Sequence, residues 1–296
     1  MKVFVTGATG FIGSNLIPEL LHAGHQVLGL ARSDSAAEAL LAKGVEPHRG
    51  SLEDLDSLRS GASAADAVIH AGFVHDFSRF LEVCEIDRKA IEALGTALIG
   101  SNRPLLVTSG TGMGSSGPGE VAVEDYFDAN HAIPRVASEK ACVELVEKGV
   151  DVRVIRLPQV HDTVKQGLIT YSISVAREKG VAAYAGDGLN RWTAVHVSDA
   201  VRLYRLALEN GTAGARYHAV AEEGIPYIQI AEAIGRGLKI PTVSLPTEEL
   251  GSHFGPLGLF IGFDLPASGV LTQERLGWHP TGPGLIEDLE KMDYSL

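Results

Sequence analysis

A doubly wound α/β fold around a parallel sheet is what this sequence predicts, on three observations. Short apolar runs alternate with longer helical patterns through residues 2–157, which implies parallel strands joined by helical crossovers on both sheet faces. Those runs are apolar almost throughout rather than at every second residue, as strands buried on both faces require. Three glycines stand between the first run and the first helical pattern.

The elements follow in order. Residues 2–6 read as a strand and 11–23 as a helix, with Leu16, Leu20 and Ala23 at helical spacing and Gly24 as a left-handed cap. Pro18 predicts a kink inside that helix. A second strand covers 26–31, and Asp34 is expected to cap a helix running to Lys43. Strands near 45–48 and 67–71, a helix near 77–99, a strand at 105–109, a helix at 134–148 and a strand at 151–157 complete the series. Beyond it, two stretches rich in Gly, Pro and polar residues (181–191 and 211–226) and a loop-rich tail (246–283) change the rhythm. Between those two stretches, residues 193–210 read as a strand and helix returning to the main sheet. The expected division is therefore 1–157 plus 193–214 for the sheet domain, and 158–192 plus 215–296 for a smaller, discontinuous C-terminal substrate domain.

Composition narrows the function. The chain has 296 residues, 45% hydrophobic and 21% charged, enough to bury a sizeable core. A formal net charge of −12 opposes binding to nucleic acid or to an anionic membrane surface. No apolar run is long enough to span a bilayer, and the opening MKVFVTGATG is not expected to act as a signal peptide. Cys84 and Cys142, both within helical patterns, argue against a disulfide framework or a zinc site, so a reducing, cytoplasmic setting is expected.

The glycines carry the chemistry. In Thr6-Gly-Ala-Thr-Gly-Phe-Ile-Gly13 they serve a tight turn, close approach of backbone to a pyrophosphate, and packing of helix on strand. The helix opening there offers free N–H groups and a positive dipole end to a phosphate, the signature of a Rossmann-type dinucleotide site. At the end of the second strand, Arg32 and Ser33 stand where an acid would hold the ribose hydroxyls of NAD. A forked contact from Arg32 and a hydrogen bond from Ser33 suit a 2′-phosphate, so NADPH is the expected cofactor, with NAD still possible.

With these motifs the sequence resembles the extended short-chain dehydrogenase/reductase superfamily, the NAD-dependent epimerase/dehydratase family, over nearly the whole chain. Thr6–Gly13 matches its TGxxGxxG. Gly50-Ser-Leu-Glu-Asp54 resembles its adenine-contacting GDLxD, with Ser51 in place of the usual acid. Val68-Ile-His-Ala-Gly72 resembles its fourth-strand segment, and Arg156-Leu-Pro-Gln-Val-His161 its RPxxVY beside the nicotinamide. The segment from Gly186 to Ala200 is similar to its GdGxxxxxxVHVxDxA. The resemblance implies cofactor contacts at Gly7, Thr9, Gly10, Phe11, Ile12, Gly13, Leu52, Ala71, Gly72, Thr108, Pro158 and Val160. It also implies a homodimer through the helices near 77–99 and 134–148, where Val83, Ile86, Val143 and Val146 are apolar beyond one stripe.

The family's proton chemistry rests on a Tyr-x-x-Ser-Lys helix, a hydroxyl after the fifth strand, and an Asn on the preceding helix. Aligned on Ser138, this chain has Arg135 for the Tyr and Glu139 for the Lys; a shift of one residue keeps Lys140 but puts Val136 at the Tyr position. Asp87 stands for the Asn, and Gly110 falls near the hydroxyl position, flanked by Ser109 and Thr111. Arg135 and Glu139, four residues apart, can form an ion pair, and Glu139 can accept from the ribose hydroxyls; the competing reading is an exposed surface pair. Tyr126, Thr111, His131 and His161 are the candidate proton donors. His70 reads as a satisfied core histidine, and Trp192 as either a substrate platform or core. The function expected is NAD(P)-dependent, atypical redox chemistry on a small carbonyl or alcohol. The alternatives are a nucleotide-sugar epimerase or dehydratase and a non-catalytic dinucleotide-binding redox sensor.

Overall fold

The computed structural model describes residues 1–295. The chain builds β1 (Lys2–Thr6), α1 (Phe11–His22), β2 (Gln26–Ala31), α2 (Asp34–Leu41), β3 (Glu46–Arg49), α3 (Leu55–Ser63), β4 (Ala67–His70), α4 (Phe80–Thr96), β5 (Leu105–Gly110), α5 (Val136–Glu147) and β6 (Val152–Leu157). It continues through β7 (Gln159–His161), α6 (Ile169–Lys179), β8 (Ala182–Ala185), β9 (Arg191–His196), α7 (Val197–Asn210), β10 (Arg216–His218), β11 (Glu222–Pro226), α8 (Tyr227–Leu238) and β12 (Thr242–Leu245). Four short helices follow: α9 (Leu250–Phe254), α10 (Gly258–Ile261), α11 (Val270–Leu276) and α12 (Leu285–Lys291).

The main sheet has seven strands in the order β10-β6-β5-β4-β1-β2-β3, parallel throughout. Side chains alternate across it: Val3 and Val5 of β1 join a cluster with Leu16, Ile17, Val201 and Tyr204 of α1 and α7, whereas Phe4 joins Leu58, Ile91, Leu94 and Leu145 of α3, α4 and α5. The sheet is thus double-wound, and the order reverses between β1 and β4, so the chain leaves these strands toward opposite faces and opens a crevice at their carboxyl ends. A third cluster, with Trp192, Tyr227, Ile230 and Leu285, fills the C-terminal part around the two smaller sheets, β11-β9-β7 and β12-β8.

Several local expectations change. β9 does not return to the main sheet; it is the centre of the three-stranded sheet, and Arg216–His218, expected in the smaller domain, takes the seventh place beside β6. α3 was not foreseen, although Asp54 caps it by accepting the Ser57 N–H at 3.1 Å. Pro18 does not end α1, which stays helical from Phe11 to His22; the proline lies on the exposed face, where the carbonyl it leaves without a backbone partner can take water. The cap of α2 is Ser33, not Asp34: its Oγ accepts the Ala36 N–H at 3.2 Å, while Asp34 pairs with Arg49 at the end of β3.

Candidate active site

The glycine turn is built by backbone alone. Gly7 has φ +67°, a conformation that favours glycine, and a Cβ there would sit 2.7 Å from the Ala71 carbonyl oxygen. A Cβ on Gly13 would lie 2.2 Å from the Gly7 oxygen. Gly10 is different: a Cβ would meet only the Gly7 oxygen, at 3.2 Å, and the residue is exposed. The protein itself therefore demands Gly7 and Gly13, while the space over Gly10 is left for something else. Gly10 is also the N-cap of α1 and has no side chain to close the first turn, so the N–H groups of Phe11, Ile12 and Gly13 have no intrahelical acceptor. Such a cradle fits the phosphates of a dinucleotide. Thr9 is exposed beside it. Gly72 closes the cradle from the β4 side, where a Cβ would press on the Gly7 nitrogen (3.0 Å) and on Leu52 Cδ2 (3.2 Å), and the Ala71 carbonyl lies against Gly7. At the end of β2, Arg32 is exposed, whereas the Ser33 hydroxyl is engaged in capping and with Ser35, at 2.9 Å.

A chain of buried polar groups runs from this turn to the head of α5. Thr6 Oγ1 is 2.7 Å from His70 Nδ1, and His70 Nε2 is 3.1 Å from Asp87 Oδ1, so His70 is a satisfied core histidine. Asp87 Oδ2 accepts from Ser138 Oγ at 2.6 Å and from the Arg135 guanidinium. Burial works to raise the Asp87 pKa, but Arg135, His70 and Ser138 outweigh it and hold the carboxyl down to about 2. Arg135 also donates to Ser138 Oγ and to the Thr108 carbonyl, both at 2.8 Å, and lies over the Phe73 ring at 4.2 Å. Of its five N–H donors, three are used among the described residues, and the side chain keeps 14% of its surface exposed. The Thr108 hydroxyl is spent within the fold, on the His70 carbonyl and on Tyr204.

Glu139 corrects the expected pairing. It is buried and does not meet Arg135; it takes a two-pronged contact from Arg156 (2.8 Å and 2.8 Å), one from Arg216 (2.9 Å) and one from Ser109 (2.7 Å). Both carboxylate oxygens are occupied and none of the side chain reaches solvent, so contact with ribose hydroxyls, like an exposed surface pair, is ruled out. Residues i and i+4 share a helix face, yet each acid and base here found a stronger buried partner on another strand or helix.

The other candidates divide. Thr111, buried, opens the short turn after β5, and Tyr126 is half-buried in the segment before α5. Pro158 and the buried Val160 lie where β6 passes into β7. His131 Nδ1 accepts the Ile133 N–H, and His161 is wholly buried against Asp288 at 2.7 Å, which removes it as a proton donor to substrate. Trp192 is core, edge-on to Tyr227 at 5.1 Å between ring centres. Phe73 and Arg216 were not singled out from the sequence, since each matters only through a partner distant in the chain. A concavity of about 580 Å³ lies between the heads of α4 and α5, lined by Phe80, Cys84, Pro134 and Ala137 among others. Among the described residues no cluster of His, Cys, Asp and Glu is arranged to hold a metal ion, and no helix is long and apolar enough to cross a membrane.

A Rossmann fold with a phosphate cradle at its switch point defines a dinucleotide-binding protein. The chain belongs to the NAD dependent epimerase/dehydratase family, whose model matches residues 3–221. An uncharacterized protein of Schizosaccharomyces pombe is 48% identical over 295 residues, 99% of this chain and 100% of the relative. Vestitone reductase of Medicago sativa is 26% identical over 246 residues, covering 73% of this chain and 76% of its own. Among solved structures, the dTDP-glucose 4,6-dehydratase of Streptomyces venezuelae, crystallised with NAD, shares the fold with TM-score 0.77 at 19% identity, over 98% of this chain and 96% of that one.

Proposed function

We propose that this protein is an NADPH-dependent reductase of a small carbonyl compound, working without the family's Tyr–Lys pair. The observation that carries the reading is Arg135: a nearly buried, permanently charged fork at the end of β5, with two N–H groups unspent. A guanidinium does not release its proton at neutral pH, but it can bond to a carbonyl oxygen and stabilise the negative charge that develops there. The phosphates rest on the amides of Phe11, Ile12 and Gly13, and Arg32 meets a 2′-phosphate, with Asp34 drawn away by Arg49. When bound, the dinucleotide supplies the hydride. Tyr126, with Thr111 as the other hydroxyl, supplies the proton to the oxygen that Arg135 holds. Vestitone reductase, a relative named for a reduction, supports this reading. We keep the two-part organisation, a sheet domain and a substrate domain, with Arg216–His218 assigned to the sheet. We also keep a cytoplasmic setting, since both cysteines are free, and a homodimer through α4 and α5. Leu81 and Val146 are exposed on these helices, whereas Val83 is spent inside the chain. The test is consumption of NADPH by pure protein over a panel of carbonyl compounds: turnover supports a reductase, and tight binding without turnover removes it in favour of a sensor.

A further inference from the structure

Residues 123–127 lie between the short turn after β5 and α5 and belong to no strand or helix. Carbonyl groups in such a stretch need donors from elsewhere when they are covered. One side chain supplies most of them, the Tyr126 N–H adding a 3.4 Å bond to the Val123 carbonyl. Arg156, wholly buried on β6, donates to the carbonyls of Val123 (3.2 Å), Glu124 (3.4 Å) and Tyr126 (3.0 Å). Its plane is fixed by the two-pronged contact with Glu139, so the direction of its remaining N–H groups is set by that carboxylate. Arg216, the second arginine on Glu139, lies 4.7 Å from the centre of the Phe127 ring.

We infer that Glu139 is a positioning residue: by orienting Arg156 and Arg216, it holds the 123–127 segment, and Tyr126 within it, against the carboxyl end of the sheet. The charges facing this segment fit that role. Glu139 is kept ionised, since its arginine partners and Ser109 outweigh the effect of burial. His218, 3.2 Å from Arg156, is kept neutral by burial and by that arginine, and its Nδ1 donates to the Ser268 carbonyl, so no third cation competes for the carboxylate. On the far side, Glu124 accepts from the Thr272 N–H and hydroxyl, and Asp125 pairs with Arg275, both partners on α11. Those contacts hold the side chains of 124 and 125, and the Val123 N–H is tied to the Gly114 carbonyl (3.0 Å); the Glu139 clamp holds the carbonyls of 123, 124 and 126 and the Phe127 ring.

The inference rests on the proposed function only in the part given to Tyr126, and hydrogen exchange separates the two. In Glu139→Gln, peptides covering 121–128 are expected to exchange at least about tenfold faster than in the parent, with β1 and α1 unchanged. The dissociation constant for NADPH should stay within about twofold, and kcat should fall with little change in KM. Parent-like exchange in 121–128 of the folded variant overturns the clamp. Faster exchange with unchanged kcat supports the clamp and withdraws Tyr126 from the chemistry. Should Glu139→Gln not fold, Arg216→Met, which leaves the Glu139–Arg156 pair intact, is expected to loosen the same peptides by a smaller factor; no loosening there overturns the inference as well.

Discussion

The glycine turn and the head of α5 sit at two ends of one buried hydrogen-bonded chain, Thr6–His70–Asp87–Arg135, yet they are made of opposite materials. The turn is backbone: it depends on what is missing, a Cβ at Gly7 and Gly13, where the fold leaves no room for one, and a side chain at Gly10, the N-cap of α1. The head of α5 is side chain: ionised groups buried in pairs, each costly to take from water and stable only while its partner remains. A backbone site is written in consecutive residues. An ion-pair site is written in residues 48, 17 and 77 positions apart.

That contrast can be broken by mutation. The largest effect is expected at Arg135→Ala, which leaves Asp87 buried without its cation and should cost about 3–5 kcal/mol of stability in urea unfolding. Adding Asp87→Asn to that variant should recover a good part of the loss; additive losses would mean that the two side chains do not depend on each other. Within the turn, Gly13→Ala drives a methyl into the Gly7 carbonyl and should cost about 1–3 kcal/mol. Gly10→Val should instead leave the melting temperature nearly unchanged while abolishing dinucleotide binding, as read by calorimetry. Normal affinity in a folded Gly10→Val protein would remove the cradle.

The difference in material also decides what the sequence reveals. The strand–glycine–helix order and the six strands up to β6 were readable because local pattern specifies them. Arg135 and Glu139 were found as a departure from a familiar helix, but their partners were misassigned to each other. Helical spacing predicts neighbours on one helix; it does not predict that Asp87 of α4 and Arg156 of β6 offer deeper, better-formed partners. The placement of β10 failed for a related reason. A three-residue strand carries almost no periodicity, and its position comes from pairing Arg216, Tyr217 and His218 with β6. Ser33 and Asp34 are both good caps; Ser33 takes the role while Asp34 pairs with Arg49, a residue 15 positions on that the local pattern does not point to.

Two smaller effects sharpen the comparison. At the mouth of the turn, Arg32→Ala should weaken NADPH binding about ten- to a hundredfold, the value of a hydrogen bond to a charged group, with NADH nearly unaffected. Equal losses for both cofactors would deny the 2′-phosphate contact. Below α5, burial and the neighbouring Arg156 lower the His218 pKa to about 3. The folded state therefore resists a proton that the unfolded chain accepts below its ordinary range near 6.5. Stability from this group is full above that range and declines as pH falls from about 6.5 toward 3, by at most about 1.4 kcal/mol per pH unit. A His218→Gln variant should show a shallower decline between pH 6 and 4 in urea titrations; an identical slope would place the acid sensitivity elsewhere.

The most direct measurement is the single-turnover rate of NADPH oxidation with a reducible carbonyl, in the parent and in Arg135→Gln paired with Asp87→Asn so that no buried charge is left alone. If Arg135 stabilises the developing oxyanion, the rate should fall by about a hundredfold or more while NADPH affinity stays within about threefold. A rate equal to the parent's in a folded, NADPH-binding double variant would contradict an arginine-polarised carbonyl.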